Sequence, residues 1–406
     1  MTEPTFQNPV RPGAGHAPPY LAGRSAEKEE MRRLLRQTVI TENMVLTGLR
    51  GVGKTVLLET FRPLALKEGW LWANADLSES VSVTEDTLAI RILTDIALFT
   101  APLLAQESKQ IDLGFASQER IVRKPLNFAV LKQYYENIPG LVADKIKGTL
   151  EYVWSVLPHE SIKGAVFAYD EAQNMTDHAT RNQFPLSVLL EVFQSIQKKG
   201  IPFMLVMTGL PTLFPKLVEA RTYAERMFHV VFLNPLDEQS AKEAILKPVQ
   251  DAKCPLQFST ETVDAIWKLS SGYPHFIQFI CKEVFDAWLT KIASNDVPSI
   301  PEAEILMKLD TNFFAGRWAK ATDRQRDLLQ VISLLDTCDS EFTVQEVVLE
   351  SRNSLMKPFT ASHVSQMVSN LIDLGLVYKN RFGKYSLAVP LMSGFIRRQT
   401  LSPEGY

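Results

Sequence analysis

Short apolar runs alternate with helix-length patterns over the first 235 residues of the chain. These runs predict buried strands, which lie at Met44–Thr47, Leu71–Asp76, Ala165–Tyr169, Phe203–Met207 and His229–Leu233. Residues 106–124 are polar and fit neither a strand nor a helix pattern. Because strands that alternate with helices pair in parallel through crossover connections, this part of the chain predicts an α/β fold with a parallel sheet.

The pattern changes after Pro235, where apolar positions recur at helical spacing. Helices are predicted at Asp237–Gln250, Glu261–Ser270 and Pro274–Leu289. The proline-punctuated stretch Asp296–Pro301 predicts a linker. From about Thr322, three further helical patterns precede two short strands.

The first 20 residues are rich in Pro and Gly and predict a disordered arm. The changes of pattern then divide the chain into four predicted segments. They are an arm at 1–20, an α/β core at 21–235, a helical region at 236–300 and a C-terminal module at 301–406.

A phosphate-binding motif follows the first predicted strand. Gly48-Leu49-Arg50-Gly51-Val52-Gly53-Lys54-Thr55 matches the P-loop pattern and opens a predicted helix. Glycines accept positive φ, so the backbone can curl its amides around a phosphate, and the helix adds its positive N-terminal end. We therefore predict that ATP binds to Gly48, Arg50, Gly51, Val52, Gly53, Lys54 and Thr55. In this mechanism Lys54 bridges the β- and γ-phosphates and the Thr55 hydroxyl is a ligand of Mg²⁺.

Two later strands end in polar residues. The run Ala165–Tyr169 delivers Asp170 and Glu171 to the edge of the sheet where phosphates bind in such folds. Asp170 is the predicted Mg²⁺ ligand, largely through water, and Glu171 is predicted to orient or deprotonate the attacking water. Thr208 ends the next strand and is predicted to hydrogen-bond the water or the γ-phosphate.

These motifs, in this order, resemble the AAA+-related STAND and origin-initiator ATPases. The resemblance covers about residues 20–290 and includes Gly23-Arg24 with Glu27 ahead of the P-loop and Thr208-Gly209-Leu210-Pro211. It implies a five-stranded parallel sheet followed by a helical lid. It also implies that Leu21, Gly23 and Arg24 contact adenine and ribose. Gly272-Tyr273-Pro274 resembles the GxP signature of STAND lids, which places Pro274 at the nucleotide.

The resemblance also implies an arginine that acts on the γ-phosphate of a neighbouring subunit. Arg226, just before the last core strand, is the candidate, and Arg221 is a weaker alternative. The lid stretch Ser271–Gln278 departs from the initiator pattern because it contains no sensor arginine. This departure favours the STAND group and a slow ATPase, and the whole pattern predicts a nucleotide-dependent homo-oligomer.

The C-terminal module resembles a winged helix-turn-helix. Thr360–Leu374 has an apolar face with Ser362 and Gln366 outside it, and a predicted hairpin follows around Phe382-Gly383. In DNA-binding members the third helix enters the major groove and the wing touches phosphates. The predicted DNA contacts are therefore Ser362, Gln366, Lys379, Arg381 and Lys384.

Composition adds few constraints. The formal net charge is −3, so there is no global basic surplus and any nucleic-acid site must be local. Cys254, Cys281 and Cys338 match no zinc or CxxC spacing, which predicts buried thiols in a reducing cytoplasm. No apolar run reaches membrane-spanning length, so no membrane partner is predicted.

Two functions remain open at this point. One is an ATP-binding and hydrolysing switch, whose nucleotide state controls a winged helix on duplex DNA. The other is a STAND-type signalling or scaffold ATPase, which oligomerises and recruits a protein effector through the winged helix. The sequence does not distinguish replication, transposition, defence and signalling.

Overall fold

The computed structural model describes residues 8–401, except for 14, 78–83, 102–103, 114–115, 159–160, 255–256, 294–299 and 382. The chain forms two compact units. The P-loop unit contains 1–24, 48–56 and 233–406, and the sheet unit contains 25–47 and 57–232. The predicted domain boundaries at 20, 235 and 300 stay predictions.

The sheet unit is built on five parallel strands. They are β1 (Asn43–Thr47), β2 (Trp70–Asp76), β5 (Gly164–Asp170), β6 (Phe203–Gly209) and β7 (Phe228–Phe232). Their order across the sheet is β2-β5-β6-β1-β7. This arrangement confirms the predicted parallel sheet of an α/β P-loop fold. Strands β1, β5 and β6 are buried along their whole length, which is why the sequence shows them as uninterrupted apolar runs.

Helices flank the sheet. They are α1 (Ser25–Leu35), α2 (Lys54–Lys67, which begins in the P-loop unit), α3 (Glu85–Thr100), α4 (Phe128–Asn137), α5 (Val142–Val156), α6 (Pro185–Lys198), α7 (Leu213–Ala220) and α8 (Ala224–Met227). Residues 106–124 were predicted to contain no element, but 106–113 and 116–124 lie in two antiparallel strands, β3 (Leu104–Leu113) and β4 (Ala116–Pro125).

The P-loop unit contains the three predicted lid helices. They are α9 (Glu238–Asp251), α10 (Thr260–Ser270) and α11 (Pro274–Ala293). Asp237 and Ser259 cap the first two by accepting a hydrogen bond from the third residue beyond them. The predicted linker Asp296–Pro301 lies largely outside the described residues. None of the helices in the described part of the chain is long and apolar enough to span a membrane.

The predicted winged helix is present in the same unit. Its elements are α12 (Glu302–Leu309), a π-helical turn (Asp310–Ala315), α13 (Gly316–Trp318), α14 (Asp323–Leu334), α15 (Val344–Ser354), α16 (Ala361–Asp373), β8 (Val377–Arg381), β9 (Lys384–Leu387) and α17 (Met392–Leu401). The three helices α14, α15 and α16 each begin at a threonine cap, Thr322, Thr343 or Thr360. Phe342 pairs with Tyr385 and adds a third strand position to the wing.

The lid and the winged helix share one hydrophobic core. Phe313 of the π-helical turn stacks edge-on against Phe276 and Phe279 of α11, with ring centroids 5.6 and 5.0 Å apart. Its neighbour Phe314 lies 5.3 Å from the ring of Phe395 in α17. These contacts hold the winged helix to the lid, whereas the sequence predicted two separate domains.

The N-terminal arm is ordered where it is described. Asn8 Nδ2 donates to the Lys282 carbonyl and to Asp286 on α11, and Val10 is buried in the lid core. Further along, the Tyr20 hydroxyl donates to Glu243 on α9. This differs from the predicted disorder of residues 1–20. The arm has few apolar residues, but Val10 is buried, and the side chains of Asn8 and Tyr20 form hydrogen bonds to the lid helices.

Candidate nucleotide site

The P-loop has the backbone that phosphate binding requires. It follows β1 directly and opens α2. Gly51 and Gly53 adopt φ values of 81° and 92°, in the region that side chains disfavour, and a Cβ on Gly53 would meet nothing within 4 Å. Lys54 is 8% exposed, and its Nζ donates to the Gly48 and Leu49 carbonyls at 3.0 Å. The motif thus forms a curled loop, and the Lys54 ammonium group is hydrogen-bonded to the backbone of that loop.

Arg24 hydrogen-bonds the backbone of the P-loop and of the segment after β7. Its side chain is 6% exposed, and Nη2 donates to the carbonyls of Val52 at 3.0 Å and Asn234 at 2.8 Å. A Cβ on Gly48 would lie 2.6 Å from the Leu233 carbonyl, so this position tolerates only glycine. The contacts of Arg24 to the loop were not foreseen. Adenine or ribose contacts by Leu21, Gly23 and Arg24 stay a prediction.

The P-loop also contacts the lid. The backbone N–H of His275, in the first turn of α11 after Pro274, donates to the Gly51 carbonyl at 3.1 Å. A nucleotide contact by Pro274 itself stays a prediction. On its other side, Arg50 lies beside the winged helix, since a Cβ on Gly375 would be 3.9 Å from Arg50 Nη2. The P-loop therefore contacts the lid through its backbone and lies close to the winged helix through the Arg50 side chain.

Arg317 is a basic residue of this region that the sequence did not mark. Burial, followed by the nearby charge of Arg50, lowers the pKa of Arg317. Burial, followed by Arg317, lowers the pKa of His275. Neither Arg50 nor Arg317 forms an ion pair with a carboxylate of the described residues. No local motif could have found Arg317, because only the tertiary fold brings α13 to a loop far away in sequence.

At the carboxyl edge of the sheet, Asp170 and Thr208 come together. The parallel register of β5 and β6 places them side by side, and the Thr208 hydroxyl hydrogen-bonds Asp170 Oδ1. The same Oδ1 accepts the Glu171 N–H at 2.8 Å. The side chains of Asp170 and Thr208 are both buried, and the Asp170 carboxylate is held in place by two hydrogen-bond donors. The sequence predicted that both residues end neighbouring strands, but not the hydrogen bond between them, and a contact of Thr208 with water or the γ-phosphate stays a prediction.

Glu171 has a constrained conformation. Its φ and ψ of 49° and 34° are left-handed, which costs of order 1–3 kcal/mol for a residue with a side chain. Such strain concentrates at functional sites. The turn after it is held by Lys216 of α7, whose Nζ donates to the Gln173 carbonyl at 2.6 Å and to Thr176 Oγ1 at 2.5 Å. Burial lowers the pKa of Lys216.

A third carboxylate lies on the same edge. Asp76 ends β2 opposite Asp170 in the register. Burial, followed by the charges of Asp170 and Glu171, raises the pKa of Asp76. The sequence showed Asp76 as a strand end without giving it a role. The concentration of negative charge here suits a nearby cation.

The two arginines ahead of the last core strand differ in their surroundings. Arg226 is exposed in the last turn of α8. Arg221 instead contacts Glu191 of α6 at 3.4 Å. Arg226 is exposed and forms no ion pair with an acidic residue in the described part of the chain, which favours it over Arg221 for an intermolecular role that stays a prediction.

The predicted DNA contacts lie on two elements of the winged helix. Ser362 and Gln366 are exposed on α16, and Lys379 is exposed on β8. Lys384 begins β9. Hydrogen bonds from Thr343, and to a smaller extent the charge of Lys384, lower the pKa of the Glu346 carboxyl. The backbone of Arg381 pairs with Lys384, while its side chain and Phe382 lie outside the described residues.

Two other basic residues near the wing are engaged inside the protein. Arg397 donates to the Ser333 carbonyl at 2.8 Å, and Arg398 forms an ion pair with Asp310 at 2.5 Å. These two arginines are therefore held by intramolecular contacts.

Comparisons with known proteins support the fold. The structure is similar to the ORC2 protein of Aeropyrum pernix in its ADP form, with a TM-score of 0.53 and 15% identity, over 95% of this chain and 97% of that chain. It is less similar to the ORC1 protein of Aeropyrum pernix in complex with DNA (TM-score 0.48, 14% identity, 97% and 96% covered). It also matches AMPPCP-bound DnaA from Aquifex aeolicus (0.40, 12%, 94% and 96%). At these identities the likeness to the ORC2 protein shows a shared fold.

Sequence comparisons reach only part of the chain. A family model described as a domain of unknown function (DUF8462) matches residues 311–396, which run from the π-helical turn into α17. A comparison with curated protein sequences finds no match. The resemblance to the STAND group stays a prediction.

Proposed function

We propose that this protein is an ATP-binding and hydrolysing switch, whose nucleotide state controls the binding of duplex DNA by its winged helix. One observation carries the proposal: the P-loop contacts the lid through His275 and lies beside the winged helix at Gly375. If phosphate binding moves the P-loop backbone or Arg50, that movement acts directly on the neighbouring lid and winged helix. The similar ORC2 protein of Aeropyrum pernix is described in an ADP form, which is consistent with a nucleotide ligand here.

The residues present fit ATP and Mg²⁺. Two glycines at positive φ leave the P-loop amides open to an anion, and Lys54, Arg50 and Arg317 add positive charge to that region. The Thr55 hydroxyl and the Asp170 carboxylate are the oxygen donors that Mg²⁺ prefers, with water completing its shell. Mg²⁺, when bound, supplies positive charge to the phosphate oxygens. Glu171 then acts as the base or orienting group for water, and Thr208 keeps Asp170 in place.

The hairpin is the proposed phosphate contact on DNA, and α16 is the proposed groove element. Ser362 and Gln366 present small polar groups from α16, and the side chains of Lys379 and Lys384 add charge at the wing. Contacts from a wing to phosphates fix position and not sequence.

Duplex DNA binding in the ATP and ADP states is the experiment that tests the switch. We expect the affinity for a duplex to differ between the two states by about 5- to 150-fold, which is the usual range for coupling between two sites. Fluorescence anisotropy at several salt concentrations measures it. Equal affinities in both states would contradict the switch, and no binding in either state would remove DNA from the function.

Removing the wing charges should weaken binding to all duplexes equally. The Lys379→Ala/Arg381→Ala/Lys384→Ala variant should show a slope of log affinity against log salt that is shallower by about two to three units. A variant with Lys67, Lys132 and Lys198 replaced by Ala changes the net charge equally on the sheet unit and should keep the wild-type slope. Unequal losses among duplex sequences, or the same slope in both variants, would exclude the wing as the phosphate contact.

Arg226 is proposed to act on the nucleotide of a neighbouring subunit, which implies that ATP favours a homo-oligomer. Hydrolysis per subunit should then rise with protein concentration, and Arg226→Ala should flatten that rise with ATP affinity unchanged. Arg221→Ala, which removes an equal charge from an arginine held by Glu191, is the matched control. Activity per subunit that is independent of concentration, in a monomer with ATP, would disprove the proposal.

A protein effector on the winged helix is the second candidate. Leu349 on α15 is 58% exposed and Met356 after it is fully exposed, which favours an apolar partner at this surface. If neither nucleotide state binds DNA, this STAND-like scaffold function becomes the preferred one.

A further inference from the structure

Gln173 makes two side-chain contacts that link two loops of the sheet unit. Its Nε2 donates to Glu171 Oε2, and its Oε1 accepts the Leu210 N–H at 3.1 Å. Leu210 follows β6 directly, so the amide spans from the turn after β5 to the turn after β6. The two neighbours determine the orientation of this amide, because a flip would set a donor against an N–H and an acceptor against a carboxylate.

The surroundings of Gln173 are built to keep it there. Lys216 holds its backbone carbonyl. A Cβ on Gly209 would lie 2.6 Å from Gln173 Oε1, so glycine at the end of β6 leaves the space that the amide occupies. Gly209 itself has no positive φ that would otherwise require glycine.

These contacts close a ring of hydrogen bonds around the end of β5. The Thr208 hydroxyl and the Glu171 N–H both hydrogen-bond the Asp170 carboxylate. The Gln173 side chain then hydrogen-bonds both the Glu171 carboxylate and the Leu210 N–H. The Glu171 side chain is exposed, and an exposed glutamate otherwise samples many rotamers. Gln173 is the group in this ring that acts on the Glu171 carboxylate itself.

We infer that Gln173 is a positioning residue for ATP hydrolysis, which holds the Glu171 carboxylate in one orientation against the turn after β6. The inference rests on the proposed ATPase function. Gln173 does not touch nucleotide in this role. It acts by restricting the group that must meet the water, and misplacement of such a group by about 1 Å lowers a rate by about 100-fold.

Three variants separate positioning from a structural role. Gln173→Glu keeps the size of the side chain and an oxygen for the Leu210 N–H, but turns a second carboxylate toward Glu171. Gln173→Ala removes both contacts. Asn174→Ala is the matched control, because the Asn174 side chain donates to the Leu77 carbonyl at 3.0 Å, while its hydrogen bond to Glu171 comes from the backbone N–H, which Ala keeps.

We expect both Gln173 variants to lower kcat by about 10- to 100-fold, with the KM for ATP and the melting temperature close to wild type. Asn174→Ala should keep the wild-type kcat. In a Glu171→Gln background, Gln173→Ala should have almost no further effect, because a residue that acts through Glu171 has nothing left to position. Gly209→Ala should lower kcat in the same way by displacing the amide.

Wild-type kcat in Gln173→Glu would overturn the inference, as would a full loss from Gln173→Ala in the Glu171→Gln background. The failure of the proposed function looks different. In that case the wild type hydrolyses no ATP, or Glu171→Gln hydrolyses it at the wild-type rate, and the inference falls with it.

Discussion

Replacing Glu171 by Gln should lower the rate of ATP hydrolysis by about 10²- to 10⁴-fold, the range that a positioned general base contributes. The amide keeps the size of the side chain but cannot accept a proton from water. ATP affinity should change little, since Glu171 acts on the water and not on the phosphates. Single-turnover hydrolysis and an equilibrium binding titration measure the two effects separately.

Asp76→Asn is the control for this result. It removes a carboxylate from the same edge of the sheet, so it lowers the local negative charge to a similar extent. If negative charge alone promoted hydrolysis, the two variants would behave alike. We expect Asp76→Asn to retain most of the activity. An unchanged rate in Glu171→Gln would show that Glu171 has no part in the reaction.

The strands and the polar residues that end them could be predicted from sequence because burial on both faces leaves an uninterrupted apolar signal. β5 and β6 show this signal and end in Asp170 and Thr208. Once the strands pair in parallel, their carboxyl ends must lie at one edge, so the meeting of these two residues follows from the pattern. The P-loop could also be predicted from sequence, because its backbone conformation is specified by a local motif.

Contacts between residues far apart in sequence could not be predicted. Arg317 comes close to Arg50, and Gln173 reaches Leu210, through the packing of elements whose order the sequence does not encode locally. The prediction that the lid stretch lacks an arginine is correct for 271–278, yet Arg317 supplies a guanidinium to this region from α13. The expectation of slow turnover that rested on the missing arginine therefore loses its support.

The arm and the boundary between lid and winged helix show a second limit. Proline-rich composition predicted disorder for residues 1–20, but Asn8 contacts α11, Val10 packs in the lid core and Tyr20 contacts α9. A few anchors can order a segment that has a low average hydrophobicity. In the same way, Phe313 and Phe314 join the lid to the winged helix, although the sequence around them resembles an ordinary short helix.

Lys54→Ala should reduce ATP affinity by about 10²- to 10⁴-fold. The ammonium is predicted to bridge two phosphates, and each charge-assisted hydrogen bond contributes about 1.5–3 kcal/mol, with about 1.4 kcal/mol for each tenfold change in affinity. Arg50 and Arg317 should not replace it, because Lys54 is buried and its ammonium group donates to the Gly48 and Leu49 carbonyls inside the loop. Isothermal titration with ATP and Mg²⁺ measures the loss.

The fold must survive for this loss to be informative. Lys54 donates to two carbonyls, so its removal should lower the free energy of unfolding by roughly 1–3 kcal/mol, which a small fall in melting temperature reports. Lys67→Ala removes an exposed lysine at the other end of α2 and should change neither quantity. Addition of ATP should raise the melting temperature of the wild type and of Lys67→Ala but not of Lys54→Ala, because stabilisation by a ligand requires binding to the folded state. Normal ATP affinity in a well-folded Lys54→Ala protein would show that the P-loop does not bind the nucleotide.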